Sequence, residues 1–416
     1  MRRIALVALV FSLVIAAPAA ADSIAYIQGG DVWVASPDGK RRVQVTRTGG
    51  YSAVSQADDG TMIALAAGER LHRLTRDGRV TANFLTPISD GAPQAGPVNR
   101  FHGPFNPRIS PDGTKVAYEW FNDSYENDAG CSETSVPPCY VYSQRQGVGI
   151  SFADRYTGPE AFGLMTGWIY PSWVSNDMLL RSFSGAVMTD DAVFTRVGPG
   201  LADSELDPWF FDAEQGFGVD AVELSSDLQT VIGIAGQSDE KLRVYRTTMN
   251  PFGAPDWNHR PFAEGNQPVA QRCYELPGKF ESTSLAPSGR AMAYGTAEGI
   301  WVAAIPEGCA PGDAGTLVFK GATSPDWGPA DVPAALTLSR RGGLTATLTT
   351  GGAGRATLTA TLKGRTLAKR TVKVGAAGRA TVRFKLKRRG TVTVKATFKP
   401  AAGGAGQTAS AKLRLR

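Results

Sequence analysis

The sequence predicts an all-β protein in which a β-propeller is followed by a small basic β-sandwich. Its 416 residues include 48 glycines and 26 prolines, which suits many short strands joined by tight turns. A turn motif recurs along most of the chain, and from residue 334 onward both the charge and the strand pattern change. These features exclude a helical bundle, a coiled coil and a disordered chain. We expect a signal peptide over 1–21, a propeller over 22–333 and a sandwich over 334–416.

The first 21 residues have the pattern of a secretory signal. Arg2 and Arg3 precede a 14-residue apolar run at 4–17, and the small residues after it predict cleavage between Ala21 and Asp22. The alternative is a membrane anchor, but a spanning helix needs about 20 apolar residues. We therefore expect no stable membrane span and a secreted or extracytoplasmic protein, in the periplasm or the cell wall.

The four cysteines fit that compartment. Cys131, Cys139, Cys273 and Cys309 permit three pairings. Proximity in sequence favours Cys131–Cys139 and Cys273–Cys309 as structural disulfides, since thiols pair in an oxidising compartment. Metal ligation or a reactive thiol is the alternative, but neither the spacings nor a neighbouring histidine supports a zinc site.

A repeated turn organises the long central segment. Its best copy is Ser110-Pro111-Asp112-Gly113, followed by an alternating strand. Proline presets φ for a type I turn, aspartate suits the next position and glycine takes the left-handed position. Degenerate copies, and a second apolar motif downstream of each, give a unit of about four strands in roughly 40–60 residues, which is typical of a propeller blade. The copies lie at 57–60, 174–177, 224–227 and 285–289, and the second motif at 31–34, 71–74, 242–245 and 299–302.

These motifs resemble those of the TolB-like six-bladed β-propellers, over about residues 24–333. The resemblance rests on the turn at 110–113, the strand after it and the Asp-Val-Trp-Val strand at 31–34. It implies six blades and a ring closed by pairing the piece at 324–328 with the strand that begins at Ile24. The atypical repeat at 173–215 leaves a seventh blade open. TolB works with an outer-membrane lipoprotein and colicins, but the basic module here is not part of its pattern, so we do not transfer that partnership.

The charge of the chain is divided between two parts. The formal net charge is +6, yet residues 22–333 carry −15 and residues 334–416 carry +19 with no aspartate or glutamate. Such an asymmetry is typical of a protein that meets an anionic partner with one part only. The alternative is that the cations protect sheet edges and keep the module soluble.

The basic segment has short alternating strands at the spacing of a β-sandwich, and it is similar to the immunoglobulin-like modules of bacterial secreted proteins. Alternation in 380–386 and 391–399 places cations on the solvent face of the sheet. We expect a polyanion-binding face there. Its candidate residues are Arg383, Lys385, Lys387, Arg388, Arg389, Lys395 and Lys399.

The residue inventory predicts no catalytic and no metal-binding residues. The chain lacks a Gly-x-Ser-x-Gly elbow, and its three histidines stand in different repeats. The acidic stretch holding Asp123 and Asp128 could bind Ca²⁺ through oxygen ligands, although it lacks the EF-hand spacing. Paired carboxylates of a glycosidase are invisible without geometry, so a carboxylate-dependent hydrolase of extracellular polysaccharide stays the alternative function.

The longest stretch between two blade motifs, 121–172, is rich in aromatic residues. A long loop in a compact domain is often functional, and tyrosine and tryptophan are favoured contact residues. We name Tyr125, Tyr156, Trp168 and Tyr170 as a candidate partner loop, with blade strands as the alternative explanation. The sequence thus predicts a non-enzymatic binding protein with no cofactor. Its propeller would bind a protein or a glycan, and its basic module would dock on an anionic polymer of the cell envelope.

Overall fold

The computed structural model of the chain describes most of the mature sequence. The described residues are 22–86, 99–127, 140–162, 165–182, 192–198, 206–210, 218–235, 241–247, 270–340, 343–375, 378–386, 389–401 and 406–415. Within these ranges the only α-helix is a single turn, α1 (Pro159–Phe162). No helix in this part of the chain has the length and apolarity needed to cross a membrane.

The repeated turns form as the residue pattern predicts. At the best copy, the Ser110 hydroxyl donates to Asp112 at 2.6 Å and accepts from the Lys115 N–H at 2.9 Å. Gly113 has φ of +72°, a conformation that costs a residue with a Cβ atom about 1 kcal/mol or more. The same serine–aspartate bond recurs between Ser36 and Asp38. The motif is therefore a self-bonded turn that reverses the chain between two blade strands.

Twenty-four strands form the large N-terminal part of the fold. The first twelve, in chain order, are β1 (Ser23–Gln28), β2 (Asp31–Ala35), β3 (Arg42–Gln44), β4 (Tyr51–Gln56), β5 (Met62–Ala66), β6 (Arg70–Leu74), β7 (Val80–Leu85), β8 (Asn99–Ile109), β9 (Lys115–Asn127), β10 (Tyr140–Phe152), β11 (Met165–Thr166) and β12 (Ile169–Ser175). The next twelve are β13 (Met178–Ser182), β14 (Ala192–Arg196), β15 (Leu206–Phe210), β16 (Val219–Leu224), β17 (Thr230–Ala235), β18 (Lys241–Thr247), β19 (Ala270–Pro277), β20 (Ser282–Leu285), β21 (Ala291–Thr296), β22 (Gly299–Ala304), β23 (Thr316–Lys320) and β24 (Ala322–Gly328).

These strands make six four-stranded antiparallel sheets, which we number as blades 1–6 in chain order. Blade 1 has the order β24-β1-β2-β3, and blades 2 to 6 are β4–β7, β8–β11, β12–β15, β16–β19 and β20–β23. The innermost strands β24, β4, β8, β12, β16 and β20 contact one another in that order, and β20 returns to β24. Six sheets whose inner strands close a ring form a β-propeller. The described residues thus contain six blades and no seventh sheet in the ring.

The ring closes through its two ends, as predicted. β24 pairs antiparallel with β1 from Ser23 opposite Gly328 to Gln28 opposite Ala322, with one register shift between Ala25 and Ile27. The first blade therefore takes its innermost strand from the far end of the propeller segment.

Burial between blades holds the ring together. Six separate clusters of buried apolar residues lie between blades 1 and 2, 2 and 3, 3 and 4, 4 and 5, 5 and 6, and 6 and 1. Each cluster combines residues from the facing sides of two neighbouring sheets. A propeller has no single core, so its stability is the sum of these interfaces.

The C-terminal part contains seven further strands in two sheets. They are β25 (Ala335–Ser339), β26 (Leu344–Thr349), β27 (Gly354–Leu362), β28 (Arg365–Val374), β29 (Arg379–Phe384), β30 (Gly390–Pro400) and β31 (Gln407–Leu415). The sheets have the orders β25-β26-β29 and β28-β27-β30-β31. One apolar cluster, which includes Leu348, Phe384, Leu358 and Phe398, draws on both sheets. The two sheets therefore pack face to face as a small sandwich.

The interpretation of 121–172 as one long insertion is corrected by the strand pairing. β9 and β10 pair residue by residue from Lys115 opposite Phe152 to Asn127 opposite Tyr140, and β11 and β12 follow. Part of the aromatic content of 121–172 therefore lies in blade strands, the alternative that the sequence left open, whereas Tyr156 and Trp168 lie between β10 and β12.

Candidate functional site

Bulges in the inner strands direct side chains toward the middle of the ring. Strand register shifts in β8, β12 and β16, and in β24 opposite Ala25–Ile27. Each bulge contains a non-glycine residue with positive φ, and the residue two positions later resumes the strand pairing. Bulges commonly redirect a side chain beside a functional site. The four left-handed residues are Asn106, Tyr170, Ala221 and Ser324.

Arg108 of blade 3 joins two distant blades. Its Nη1 lies 2.8 Å from Oδ1 of Asp326 in blade 1, and its Nη2 lies 3.0 Å from Oε1 of Glu223 in blade 5. Neither blade is adjacent to blade 3, so this guanidinium must cross the middle of the ring. Its side chain is 23% exposed, and the two carboxylates are 11% and 12% exposed. We call Arg108, Glu119, Glu223 and Asp326 the ring-centre cluster.

Glu119 is the third carboxylate of the cluster. It lies on β9 and is 8% exposed. Its Oε2 accepts from the Asn106 amide at 2.9 Å, and its Oε1 accepts from the Tyr170 N–H at 3.2 Å. Arg108 acts on it through space rather than by direct contact. One arginine thus stands among three carboxyl groups, which come from blades 1, 3 and 5.

The three carboxylates also take part in a hydrogen-bonded ring that runs through all six blades. In each blade one side chain accepts a backbone N–H from an inner strand of the next blade, and carboxylates alternate with serines. The bonds are Gln56 N to Asp326 (2.7 Å), Ile109 N to Ser55 (3.2 Å), Tyr170 N to Glu119 (3.2 Å), Val222 N to Ser182 (3.1 Å), Leu285 N to Glu223 (2.7 Å) and Trp327 N to Ser284 (2.8 Å). The pair of one carboxylate and one serine thus repeats three times around the six blades.

Burial shifts the titration of the cluster. It raises the pKa of Glu119 to about 7, against the hydrogen bond of Asn106 and the charge of Arg108. It likewise raises the pKa of Glu223 to about 7, opposed by Arg108 and the Leu285 N–H, and it raises the pKa of Asp326. Burial alone would lower the pKa of Arg108, but Glu223 and Asp326 outweigh it and the pKa rises. Arg108 therefore stays charged at neutral pH, whereas the pKa values of Glu119 and Glu223 lie close to 7.

The cluster can therefore do one of two things. Its hydrogen bonds and ion pairs already satisfy most of its donors and acceptors, which is the arrangement of a structural clasp. Its glutamates also have the pKa of a general acid or base at neutral pH. Among the described residues no group of three or more histidine, cysteine, aspartate or glutamate side chains has the geometry of a metal site.

A second distinctive surface lies on the sheet β28-β27-β30-β31. Along β27 the side chains of Ala356, Leu358 and Ala360 are fully buried, whereas Arg355, the second residue of the strand, is exposed. The alternation continues along β30, and the strand register places the matching residues of β28 and β31 on the same outward side, although Arg370 on the inward side of the edge strand β28 is exposed as well. We call that outward side the basic face. Its cations, all exposed, are Arg355, Lys369, Lys373, Lys395, Lys399, Lys412 and Arg414.

Strand register groups these cations into rows. Arg355 lies directly opposite Lys373 on one side and Lys399 on the other. Four residues along the strands, Thr359 lies between Lys369 and Lys395. Between and beside these two rows the face carries hydroxyl groups. The outward hydroxyl residues are Thr357, Thr359, Thr361, Thr371, Thr393, Thr397, Thr408 and Ser410.

The row of three cations has no counter-charge within its own module. Like charges directly opposite on neighbouring strands destabilise a sheet, and residues 334–416 contain no carboxylate side chain to offset them. Edge protection explains charges on β28 and β31, but Arg355 and Lys399 lie on the two central strands. The central position of these two cations is the observation that solubility alone does not explain.

The predicted polyanion residues divide between the two sheets. Lys395 and Lys399 lie on the basic face, and Arg389 is exposed just before β30. Arg383 is on β29 of the other sheet, and Lys385 follows it. Lys387 and Arg388 lie outside the described residues. The sequence analysis missed Arg355, Lys369, Lys373, Lys412 and Arg414, which the alternation of β27, β28 and β31 could have identified.

The other predicted residues have these places. Tyr125 lies in β9, Tyr156 follows β10, and the Trp168 carbonyl accepts from Arg181. Tyr170 lies in β12 and serves the ring-centre cluster through its backbone N–H. These four do not form one described loop.

Of the predicted disulfides, Cys273–Cys309 is confirmed, while Cys131 and Cys139 lie outside the described residues. So do the signal segment up to Ala21 and, of the candidate Ca²⁺ ligands, Asp128. Asp123 is described only as a position in β9, where it pairs with Gln144. Asp22 is described, and it accepts a hydrogen bond from the Trp327 indole at 3.1 Å.

Comparisons with known proteins assign no family to this chain. No family profile and no curated protein matches the sequence. Similar solved structures include a protein of unknown function from Desulfotomaculum acetoxidans, at 10% identity over 87% of this chain and 99% of that one, with a TM-score of 0.36. The periplasmic gluconolactonase of Pseudomonas aeruginosa is 13% identical over 87% and 99%, with a TM-score of 0.35. Prolyl oligopeptidase B of Galerina marginata is 11% identical over 88% of this chain and 52% of its own, with a TM-score of 0.37. The propeller assignment rests on the sheet order and the ring of inner-strand contacts.

Proposed function

We propose that this protein is an extracytoplasmic binding protein that docks on an anionic polymer through its basic face. The propeller supplies a rigid platform for a protein or glycan partner. The disulfide Cys273–Cys309 and the predicted signal at 1–21 support a compartment outside the cytoplasm.

The fold details support the two resemblances. Six blades closed by β24 on β1 agree with the TolB-like type. In the sandwich, the first, second and fifth strands share one sheet and the third, sixth and seventh share the other. That division matches the strand order of an immunoglobulin-like sandwich with one difference. The fourth strand, β28, pairs with the third strand, β27, instead of lying at the edge of the first sheet.

The row Lys373–Arg355–Lys399 is the observation that carries the docking proposal. Three cations on adjacent strands repel one another in the free protein, and an anionic chain laid across them would remove that repulsion. It would also release counterions condensed on the polymer, which is why such binding weakens steeply with salt.

The test compares two triple variants of the mature protein on an immobilised sulfated or phosphorylated polymer. The row variant carries Lys373→Gln, Arg355→Gln and Lys399→Gln. The matched control carries Arg379→Gln, Arg383→Gln and Lys385→Gln, which removes the same charge from the other sheet's side. We expect only the row variant to lose retention. The slope of log affinity plotted against log salt concentration should become shallower by about 2 in that variant. Equal losses in both variants, or no binding by the parent protein at low ionic strength, would contradict the proposal.

A second candidate function is a carboxylate-dependent hydrolase of extracellular polysaccharide, favoured by the pKa of about 7 at Glu119 and Glu223. A general acid needs access to substrate, and the hydrogen bonds that hold both groups oppose this. The experiment is a polysaccharide hydrolysis assay with Glu119→Gln and Glu223→Gln. Activity of the parent protein that either folded variant loses would establish the hydrolase.

A further inference from the structure

We infer that the occupant of the basic face is a phosphodiester polymer without bases, a polyol-phosphate chain lying across the strands. This inference rests on the proposed docking function and names its ligand class. It follows from the spacing of the cations, the hydroxyl groups between them and the lack of any stacking surface.

The cations are spaced for a chain that crosses the sheet. Neighbouring strands lie about 4.8 Å apart, so the row Lys373–Arg355–Lys399 spans about 10 Å. Lys369 and Lys395 form a parallel row about 13 Å along the strand direction. The two rows can therefore hold successive turns of one flexible chain, or two segments side by side.

The cations of the face suit a phosphate chain. Five of the seven are lysines, which bind phosphate as point charges, and the guanidinium of arginine matches the geometry of a phosphate group. Arg355 at the centre of the row can donate two parallel hydrogen bonds to one phosphate. The lysines on either side would then neutralise the next groups along the chain.

The hydroxyl rows supply donors and acceptors that a pure point-charge surface lacks. Thr357 lies between Thr371 and Thr397, and Thr397 lies opposite Thr408. The hydroxyls of Thr357 and Thr371 are 3.1 Å apart. A polyol linker presents hydroxyl groups of its own, and its phosphates accept hydrogen bonds, so these threonines can contact both parts of the repeat.

The face has no place for a base or a lipid chain. Residues 334–416 contain two aromatic side chains, Phe384 and Phe398, and they are 2% and 1% exposed in the sandwich core. Proteins that bind single-stranded nucleic acid stack bases on aromatic side chains, and peripheral membrane binding buries apolar side chains. A flat sheet of threonine and lysine offers neither. Recognition here must act through phosphate and hydroxyl groups.

The test uses the full mature protein and three labelled probes with matched numbers of charges: a glycerol-phosphate oligomer, an oligothymidylate and an oligogalacturonate. Fluorescence anisotropy measures each affinity in the same buffer. We expect the glycerol-phosphate oligomer to bind most tightly, and the row variant to lose that binding.

A second variant tests the hydroxyl contribution without changing charge. Thr357→Val with Thr397→Val keeps the branched side-chain shape, and we expect about fivefold weaker binding of the glycerol-phosphate probe at an unchanged salt slope. The control, Thr347→Val on the other sheet, leaves the affinity as it was.

The outcomes separate this inference from the docking proposal. Tighter or equal binding of the oligogalacturonate or the oligothymidylate, abolished by the row variant, overturns the polyol-phosphate ligand and leaves docking on polyanions standing. Failure of all three probes to bind at low ionic strength overturns both. Preferred binding of the glycerol phosphate that survives the row variant also overturns the inference, because the ligand then lies elsewhere.

Discussion

Replacing Arg108 by methionine tests the ring-centre cluster most directly. The change keeps the length and apolar bulk of the side chain and removes the cation that pairs with both Glu223 and Asp326. Both carboxylates then lose their shared cation and keep the backbone N–H groups of Leu285 and Gln56 and the side-chain hydrogen bonds of Ser284 and Ser55.

Removing one partner of a buried ion pair costs about 3–5 kcal/mol because the other charge is left uncompensated. The carboxylates here are about one-tenth exposed and the guanidinium about one-quarter, so we expect the lower end, about 3 kcal/mol. That corresponds to roughly a hundredfold rise in the unfolded fraction. For a domain of ordinary stability it is a large part of the total.

The loss should depend on pH. Arg108 opposes the burial that raises the pKa of Glu223, so without it this pKa rises further. Below the pKa the glutamate is protonated and no longer repels Asp326. The destabilisation is therefore smaller in mildly acidic buffer and larger above neutrality.

Tryptophan fluorescence during urea unfolding measures this effect selectively. All eight tryptophans lie before residue 334, so the signal reports the propeller and not the sandwich. Lys40→Met is the control, because its ion pair with Asp38 is exposed and such pairs contribute little. An Arg108→Met shift no larger than that of the control, or one that grows toward acidic pH, would refute the reasoning.

Three further predictions concern the same domain. Glu119→Gln should remove part of the pH dependence of the propeller's stability. A carboxyl whose pKa is about 7 in the folded protein and near 4.5 in the unfolded chain stabilises the fold below pH 4.5, and this contribution is lost as the pH rises to 7. Urea midpoints measured across that pH range would show the difference. Cys273→Ser removes the disulfide between residues 36 apart and should cost about 3–4 kcal/mol, visible as a lower Tm that added reductant changes less than it changes the Tm of the parent protein. Gly113→Ala places a Cβ at φ of +72° and should lower the free energy of unfolding by about 1 kcal/mol, seen as a lower urea midpoint. An unchanged midpoint would mean that the turn relaxes without cost.

Much of the fold was predictable because its signals are local. The turn at 110–113 is written in four consecutive residues, each with its own backbone preference, and the alternation after it marks a strand. The closing strand could be placed because the TolB-like resemblance implies that the piece at 324–328 pairs with the strand that begins at Ile24. Blade 3 was harder, since its 13-residue strands β9 and β10 exceed the usual length of a blade strand.

The ring-centre cluster could not be read from the sequence in the same way. Arg108, Glu223 and Asp326 are more than 100 residues apart, and each is a single charged residue in an apolar strand end. A signal did exist: Arg108 and Glu223 both stand two residues before the serine of their turn, and Ser284 stands two before the matching Ala286. Aligning the repeats on their turns would have shown a column of polar residues in a position that should be buried.

The basic face shows the opposite limitation. Its composition was evident, but deciding which cations share a side requires the strand pairing. Counting along one strand identified Lys395 and Lys399 correctly as neighbours in alternation. Only the register of β27 against β28 and β30 brings Arg355 between Lys373 and Lys399.

The closure of the ring by β24 has a mechanical consequence for an anchored molecule. Six residues, 329–334, join the end of β24 to the start of β25, so any tension on the basic module is delivered to the strand that shuts the propeller. Asp326 lies two residues from that end and is held by Arg108 and by the Gln56 N–H. A load applied through the C-terminal module would therefore act on these contacts. The ion pair of Arg108 with Asp326 ties the closing strand to blade 3, across the middle of the ring.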